Sequence, residues 1–224
     1  MVLRFFLFAV SFFFMFCSSI ESDNPYDPDG VSYIGDKFSY GTVIYEGYTY
    51  PTIVIGTQTW MVKNLNYNAS GSKCYNNKKS NCAIYGRLYD WATAMDLPPS
   101  CNFTSCASRI SANHRGICPE GWHIPRDEEF DTLIEFAGGE SIAGRYLKAL
   151  TGWSGNGEDK YGFAALQNAD SSDDSYWWTV TEKDPDVALL MGINSDLDIE
   201  DVACFDCYSH KFNSTSVRCL QDEP

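Results

Sequence analysis

Positive charge is scarce in this chain, and so is histidine. Lysine and arginine together number 16 against 30 aspartates and glutamates, a net charge of −14 over 224 residues. A field of that sign repels phosphate backbones and anionic lipid, which excludes nucleic acid as a partner. Three histidines, His114, His123 and His210, give a zinc site little support. The four segments that join aromatics to Gly, Pro or Cys, at residues 56–61, 85–91, 118–125 and 216–219, carry no phosphate-binding loop, nucleophile–base pair or metal cage, and the chain shows no internal repeat. Aromatic residues, at 15% of the chain, are plentiful enough for a sizeable core.

Long apolar runs are missing too, apart from one. Phe5 to Phe16, preceded by Arg4, is unbroken by charge. A helix of that length at ~1.5 Å per residue falls short of a ~30 Å hydrocarbon core. Residues 1–16 are therefore read as a signal peptide and the chain as exported. Cys17, followed by Ser18-Ser19, stands where a bacterial lipoprotein carries its lipidated cysteine, although Phe16 replaces the usual small residue before it. The alternative is cleavage after Ser19 with Cys17 discarded. The expected location is extracytoplasmic: an outer-membrane or cell-surface lipoprotein held only by its N-terminal lipid, or otherwise a secreted protein.

Setting Cys17 aside leaves eight cysteines, an even number suited to an oxidising compartment. Cys74 and Cys82 flank a polar loop, Cys101 and Cys106 flank Asn102-Phe103-Thr104-Ser105, and Cys204 and Cys207 are two residues apart. If these three pairs are local, Cys118 must meet Cys219. The Cys204-Phe205-Asp206-Cys207 spacing also resembles a redox pair, but it follows an acidic stretch that raises thiol pKa instead of lowering it.

Residues 17–49 are polar and turn-rich and read as a tether, with order expected from Tyr50 and a domain over 50–222. Thr52–Ile55 and Thr59–Val62 around Gly56-Thr57-Gln58 predict a hairpin. Helical spacing of apolar residues predicts helices over Arg87–Met95, Asp127–Ala137 and Ser141–Leu150. Strands are predicted over Gly162–Leu166, Tyr176–Thr181, Val187–Ile193, Leu197–Cys204 and Thr215–Leu220. Helices in the first half with antiparallel strands at both ends describe an α+β domain.

The run Ile55-Gly56-Thr57-Gln58-Thr59-Trp60-Met61, with Asn64-Leu65-Asn66-Tyr67, resembles the start of the Fibrobacter succinogenes major paralogous domain. Tyr85 to Met95, Cys118 to Pro125, Tyr176-Trp177-Trp178 with Thr181-Glu182, and Ser216 to Cys219 match its later blocks in order. Members are typically exported, often as lipoproteins, and the resemblance brings no established activity. Gly121-Trp122-His123-Ile124-Pro125 and the closing Val217-Arg218-Cys219 are also similar to formylglycine-generating-enzyme domains. That similarity implies a C-type-lectin-like fold, with two or three helices packed on a twisted antiparallel sheet and disulfide staples. Arg126 stands where such helices carry a Ser or Thr cap, so the cap is expected to shift to Asp127.

The lectin-like frame suggests carbohydrate, with extracellular polysaccharide or a surface protein as partner, although fold does not imply function. The calcium-dependent sugar motifs of C-type lectins are absent. Trp153 and Trp178 are candidate stacking platforms; because Trp177 and Trp178 alternate, one is expected in the core and the other outside it. Asn194, Asp196, Asp198 and Glu200 alternate in a strand-like way and could hold a hard cation such as calcium, and Asp170, Asp173 and Asp174 could join them from a neighbouring loop. A charged edge strand gives the same pattern. The alternative function is an extracellular enzyme related to formylglycine-generating oxidases, which hold copper with a late cysteine pair; Cys204, Cys207 and Cys219 do not reproduce that arrangement. No catalytic residue is assigned. If Cys17 carries the anchor, Cys17→Ala shifts the exported protein from the membrane pellet to the soluble fraction; a wild-type protein already soluble after export refutes the anchor.

Overall fold

The structure, a computed structural model, describes residues 38–155, 157–167, 174–194 and 203–223, with the backbone alone at 203–206. Strands β1 (Gly41–Tyr45), β2 (Tyr48–Ile55) and β3 (Gln58–Met61) form a meander. Short helices α1 (Lys79–Tyr85) and α2 (Trp91–Ala94) follow, then β4 (Trp122–His123) and the longer helices α3 (Asp127–Phe136) and α4 (Glu140–Leu147). β5 (Asp174–Asp184), β6 (Val187–Asn194), β7 (Ala203–His210) and β8 (Leu220–Gln221) close the chain. The result is a mixed helix and antiparallel-sheet fold, with one sheet ordered β1-β2-β3-β8-β4 and another β5-β6-β7.

Order begins earlier than Tyr50. Glu46 and Gly47, at φ 49° and 79°, supply the two left-handed positions of a tight hairpin turn. That turn folds β1 back on β2 and lays Val43 and Tyr45 against the core. The tether boundary at residue 49 is thus corrected: β1 lies inside the stretch read as tether, where Val43 and Tyr45 alternate with the exposed Thr42 and Ile44.

The helix expected over Arg87–Met95 shrinks to α2. Arg87, Leu88 and Tyr89 give their amide protons to the carbonyls of Leu65, Lys73 and Thr215, so these residues are extended. Asp90 then caps α2, its carboxylate accepting from Thr93 N at 2.8 Å. α1 lies inside a segment read as loop. Its end, Gly86, has φ 76°, and a Cβ there would sit 2.8 Å from Asn64 Cβ and Leu65 O, so the backbone approach requires glycine.

α3 follows the predicted face, burying Phe130, Leu133 and Ile134. Its cap is Arg126, not Asp127: the Glu129 carboxylate reaches back to accept from Arg126 N at 2.8 Å, which is one half of a capping box. Gly162–Leu166 forms no strand, only a bridge from Ala165 to Lys148. The strand predicted over Thr215–Leu220 is reduced to β8, because Thr215, Ser216, Val217 and Cys219 bond to Tyr89, Trp178, Leu65 and Met61 in four separate segments. Of Leu197–Cys204, residues 197–202 lie outside the described residues.

This closing segment stitches the two sheets and separates two packed layers. One holds Met61, Tyr89, Trp91, Trp178 and the Cys118–Cys219 disulfide. On the other face Trp60 meets Phe130 and Phe163 at 5.0 and 5.8 Å, and Phe163 meets Trp177 at 6.0 Å. Arg218 enters this layer fully buried. Its Nη1 donates to Phe163 O at 2.6 Å, its Nη2 and Nε donate to Asn64 Oδ1 at 2.8 and 3.1 Å, and its guanidinium lies 4.3 Å over the Phe163 ring. Trp177 Nε1 donates to the same Asn64 oxygen at 2.8 Å. Asn64→Ala strands these buried donors and is expected to cost about 3 kcal/mol in chemical denaturation. Asn64→Asp, which keeps the acceptor, should cost far less; equal losses would refute this role.

Candidate functional site

Disulfides join Cys74 to Cys82, Cys101 to Cys106 and Cys118 to Cys219. Cys207 is disulfide-bonded as well; the side chain of Cys204 lies outside the described residues. The late cysteines Cys207 and Cys219 therefore offer no free thiols for a copper-cysteine centre. Cys17, Asp170, Asp173, Asp196, Asp198 and Glu200 fall outside the described residues. Asn194 and Asp174 face each other at the ends of β6 and β5.

The candidate stacking tryptophans are both in the interior. Trp178 is 0% exposed and donates its indole N–H to Tyr89 O at 2.7 Å; Trp153 is buried and donates to Ala165 O at 2.9 Å. Neither ring face is available to a sugar. The expectation that only one of Trp177 and Trp178 is in the core fails for a physical reason: β5 lies between two packed layers, so both faces of the strand are covered.

A cleft of about 560 Å³ opens beside β7, within the ~300–1,000 Å³ usual for ligand sites. Three tyrosines line it: Tyr75 from the Cys74–Cys82 loop, Tyr176 from β5 and Tyr208 from β7. Tyr75 is fixed by a T-shaped contact with Tyr85 at 5.7 Å. Burial raises the Tyr176 pKa, and the charge and hydrogen bond of Asp174 raise it further, so the phenol stays protonated. Tyr208 is 61% exposed, and the Lys183 ammonium lies 4.1 Å over its ring. Polar groups alternate with the rings. Thr215 Oγ1 donates to Tyr176 O at 3.1 Å, and Asn213 Nδ2 donates to Ser209 Oγ at 2.9 Å. Asp174 is the one carboxylate among the lining residues.

A second cluster lies apart from the cleft. His123, buried on β4, has Nδ1 at 2.6 Å from Asp222 Oδ1 and Nε2 at 3.1 Å from Glu129 Oε2. Two carboxylate neighbours require both ring nitrogens to donate, which means an imidazolium. Burial disfavours that charge, but the hydrogen bonds the ring donates to Glu129 and Asp222 outweigh it and raise the pKa above the ordinary 6.5. Burial likewise opposes ionised Glu129; hydrogen bonds from His123 and Arg126 N prevail and hold it below 4.5. This clamp ties the chain's end to α3.

A family model, the Fibrobacter succinogenes major domain, matches residues 53–221. The chain belongs to that family. No curated protein and no solved structure gives a significant match.

The clamp's sign with pH follows from these shifts. The raised His123 pKa contributes stability that is full below about 6.5 and fades as pH rises through the folded value. The lowered Glu129 pKa contributes stability that is full above about 4.5 and fades as pH falls through its folded value. Stability from the clamp is therefore greatest between those limits. His123→Gln should cost about 2 kcal/mol near pH 5.5 and less near pH 9 in urea unfolding; a penalty that grows with pH would contradict the charged clamp.

Proposed function

We propose that this protein is an exported, lipid-anchored cell-surface domain that holds extracellular polysaccharide in the tyrosine cleft without cleaving it. The observation that carries the reading is Tyr208, a mostly exposed aromatic ring set among Asn213, Ser209 and Thr215. Ring faces pack against the C–H faces of sugars, and neighbouring amides and hydroxyls take their hydroxyl groups. The field of the chain disfavours polyanions, so the polysaccharide is a neutral one.

Export is supported by the disulfides, which persist in oxidising compartments. The anchor we assign is a lipid on Cys17, supported by its place directly after the apolar run Phe5 to Phe16. The frame we assign is C-type-lectin-like. Supporting it, α3 and α4 flank antiparallel sheet, and the last strand, β8, lies between β3 and β4.

A glycan array run with and without calcium tests the reading. Neutral glycans should bind the wild type, and Tyr208→Ala should weaken binding about tenfold, the scale of one aromatic contact. Binding confined to sulfated or uronate glycans, or a Tyr208→Ala protein that binds like the wild type, would refute it. Calcium dependence would bring Asp196, Asp198 and Glu200 into the site.

A further inference from the structure

The end of β7 and the turn after it bury a lysine and expose rings. Lys211, in the turn, is fully buried, whereas Tyr208 and His210 on the strand and Phe212 beyond it stand 61%, 54% and 50% exposed. The lysine is held inward by its own bonding. Lys211 Nζ donates to Glu182 Oε1 at 2.6 Å and to Pro185 O at 2.9 Å, and lies 4.3 Å over the Trp91 ring. Glu182 is in turn fixed by Cys106 N at 2.6 Å and Ser105 Oγ at 2.7 Å. An interior ion pair thus holds a row of aromatic rings at the surface.

The row continues beyond the strand. His210 and Phe212 lie 5.1 Å apart with their planes 11° from parallel, and Phe212 and Phe103 lie 6.1 Å apart at 18°. Near-parallel rings at those separations are offset like steps, so part of each face stays open. Phe103, 64% exposed, comes from the Cys101–Cys106 loop. Tyr208 lies one strand repeat before His210 on the same face and also lines the cleft.

We infer that this row extends the cleft into a track for consecutive residues of a linear, neutral glycan chain. The inference rests on the cleft reading above and adds chain length to it. Continuity through Tyr208 places the row in line with the cleft. The groups beside the rings are hydrogen-bonding ones: the Lys183 ammonium 4.1 Å over one face of Tyr208, the Asp186 carboxylate 3.2 Å from His210 Nδ1, and the exposed amide of Asn213. That mixture of open ring faces and polar edges suits a sugar chain, which presents both C–H faces and hydroxyls.

The test uses the mature full-length protein and neutral glucans as disaccharide, tetrasaccharide and hexasaccharide in β-1,4, β-1,3 and α-1,4 linkage, with affinity measured by calorimetry. For the linkage that binds, wild-type affinity should rise at least about tenfold from disaccharide to hexasaccharide, one aromatic contact or more. Phe212→Ala and Phe103→Ala should flatten that rise and leave disaccharide affinity unchanged, while Phe103→Tyr restores it. Both residues are exposed, so the variants should fold. A disaccharide bound as tightly as the hexasaccharide would overturn the track while leaving the cleft reading intact. So would a rise with length that survives both alanine variants. Failure of the wild type to bind any of the glucans, with the neutral glycans of the array also unbound, would overturn the cleft reading and the track together.

Discussion

The fold depends on a single side-chain oxygen. Asn64 Oδ1 takes hydrogen bonds from two nitrogens of Arg218 and from the Trp177 indole, while Asn64 Nδ2 donates to Tyr85 O at 3.0 Å. Through these bonds the segment after β3, the closing segment, β5 and the end of α1 meet at one point. A guanidinium taken fully out of water is costly unless its donors are satisfied and its faces are covered. Here the carbonyl of Phe163 and the rings of Phe163 and Trp177 complete the enclosure. Gly86 belongs to the same constraint, since any side chain there would collide with Asn64. The Cys118–Cys219 bond next to Arg218 closes a loop of about 100 residues, which on the chain-entropy model is worth up to ~4.7 kcal/mol. Covalent and polar ties therefore fall on adjacent residues of one short segment, and the two sheets are joined there.

The Lys211–Glu182 pair works in the opposite direction, holding apolar groups out of the core instead of bringing polar groups in. Leaving a phenylalanine ring in water forgoes part of the roughly 1.5–3 kcal/mol its burial would contribute. A buried ion pair is itself weak evidence for stability, because desolvation offsets much of its attraction. It is better explained as a positioning device: it draws the turn after β7 inward at Lys211 and leaves Phe212 outside, against the hydrophobic preference of the sequence.

How much of this was legible in the residues follows from what each signal measures. Periodicity reports one face of one element. It served for the hairpin after Thr52, for α3 through Phe130, Leu133 and Ile134, and for the cores of β5 and β6. It misled where a strand is covered on both faces, as at Trp177 and Trp178, and where a long-range partner overrides helical spacing, as at Arg87–Tyr89. The cleft was beyond it, because Tyr75, Tyr176, Tyr208 and Asn213 come from separate segments. So was the clamp, whose His123 and Asp222 are 99 residues apart. One signal was available and unread: the alternation Tyr208, His210, Phe212 against Ser209 and Lys211. Read by hydropathy alone it would have been assigned the wrong face, since only the position of Glu182 reverses it.

The two short disulfides bear on the same question. Cys74–Cys82 and Cys101–Cys106 close loops of 8 and 5 residues by sequence separation. On the chain-entropy model such small loops contribute less than the ~3 kcal/mol of a 15-residue loop, and far less than the long Cys118–Cys219 closure. Their value is better sought in position. The first holds Tyr75 at the wall of the cleft, and the second holds Phe103 at the far end of the aromatic row. Immobilising a loop before the ligand arrives removes part of the entropy cost of binding. A surface whose aromatic groups sit on stapled loops and on a strand end pinned by an ion pair is preorganised along its whole length. That is the requirement for gripping a stiff, repetitive chain, whose successive units offer the same contacts at fixed intervals and gain nothing from a surface that must rearrange to meet them.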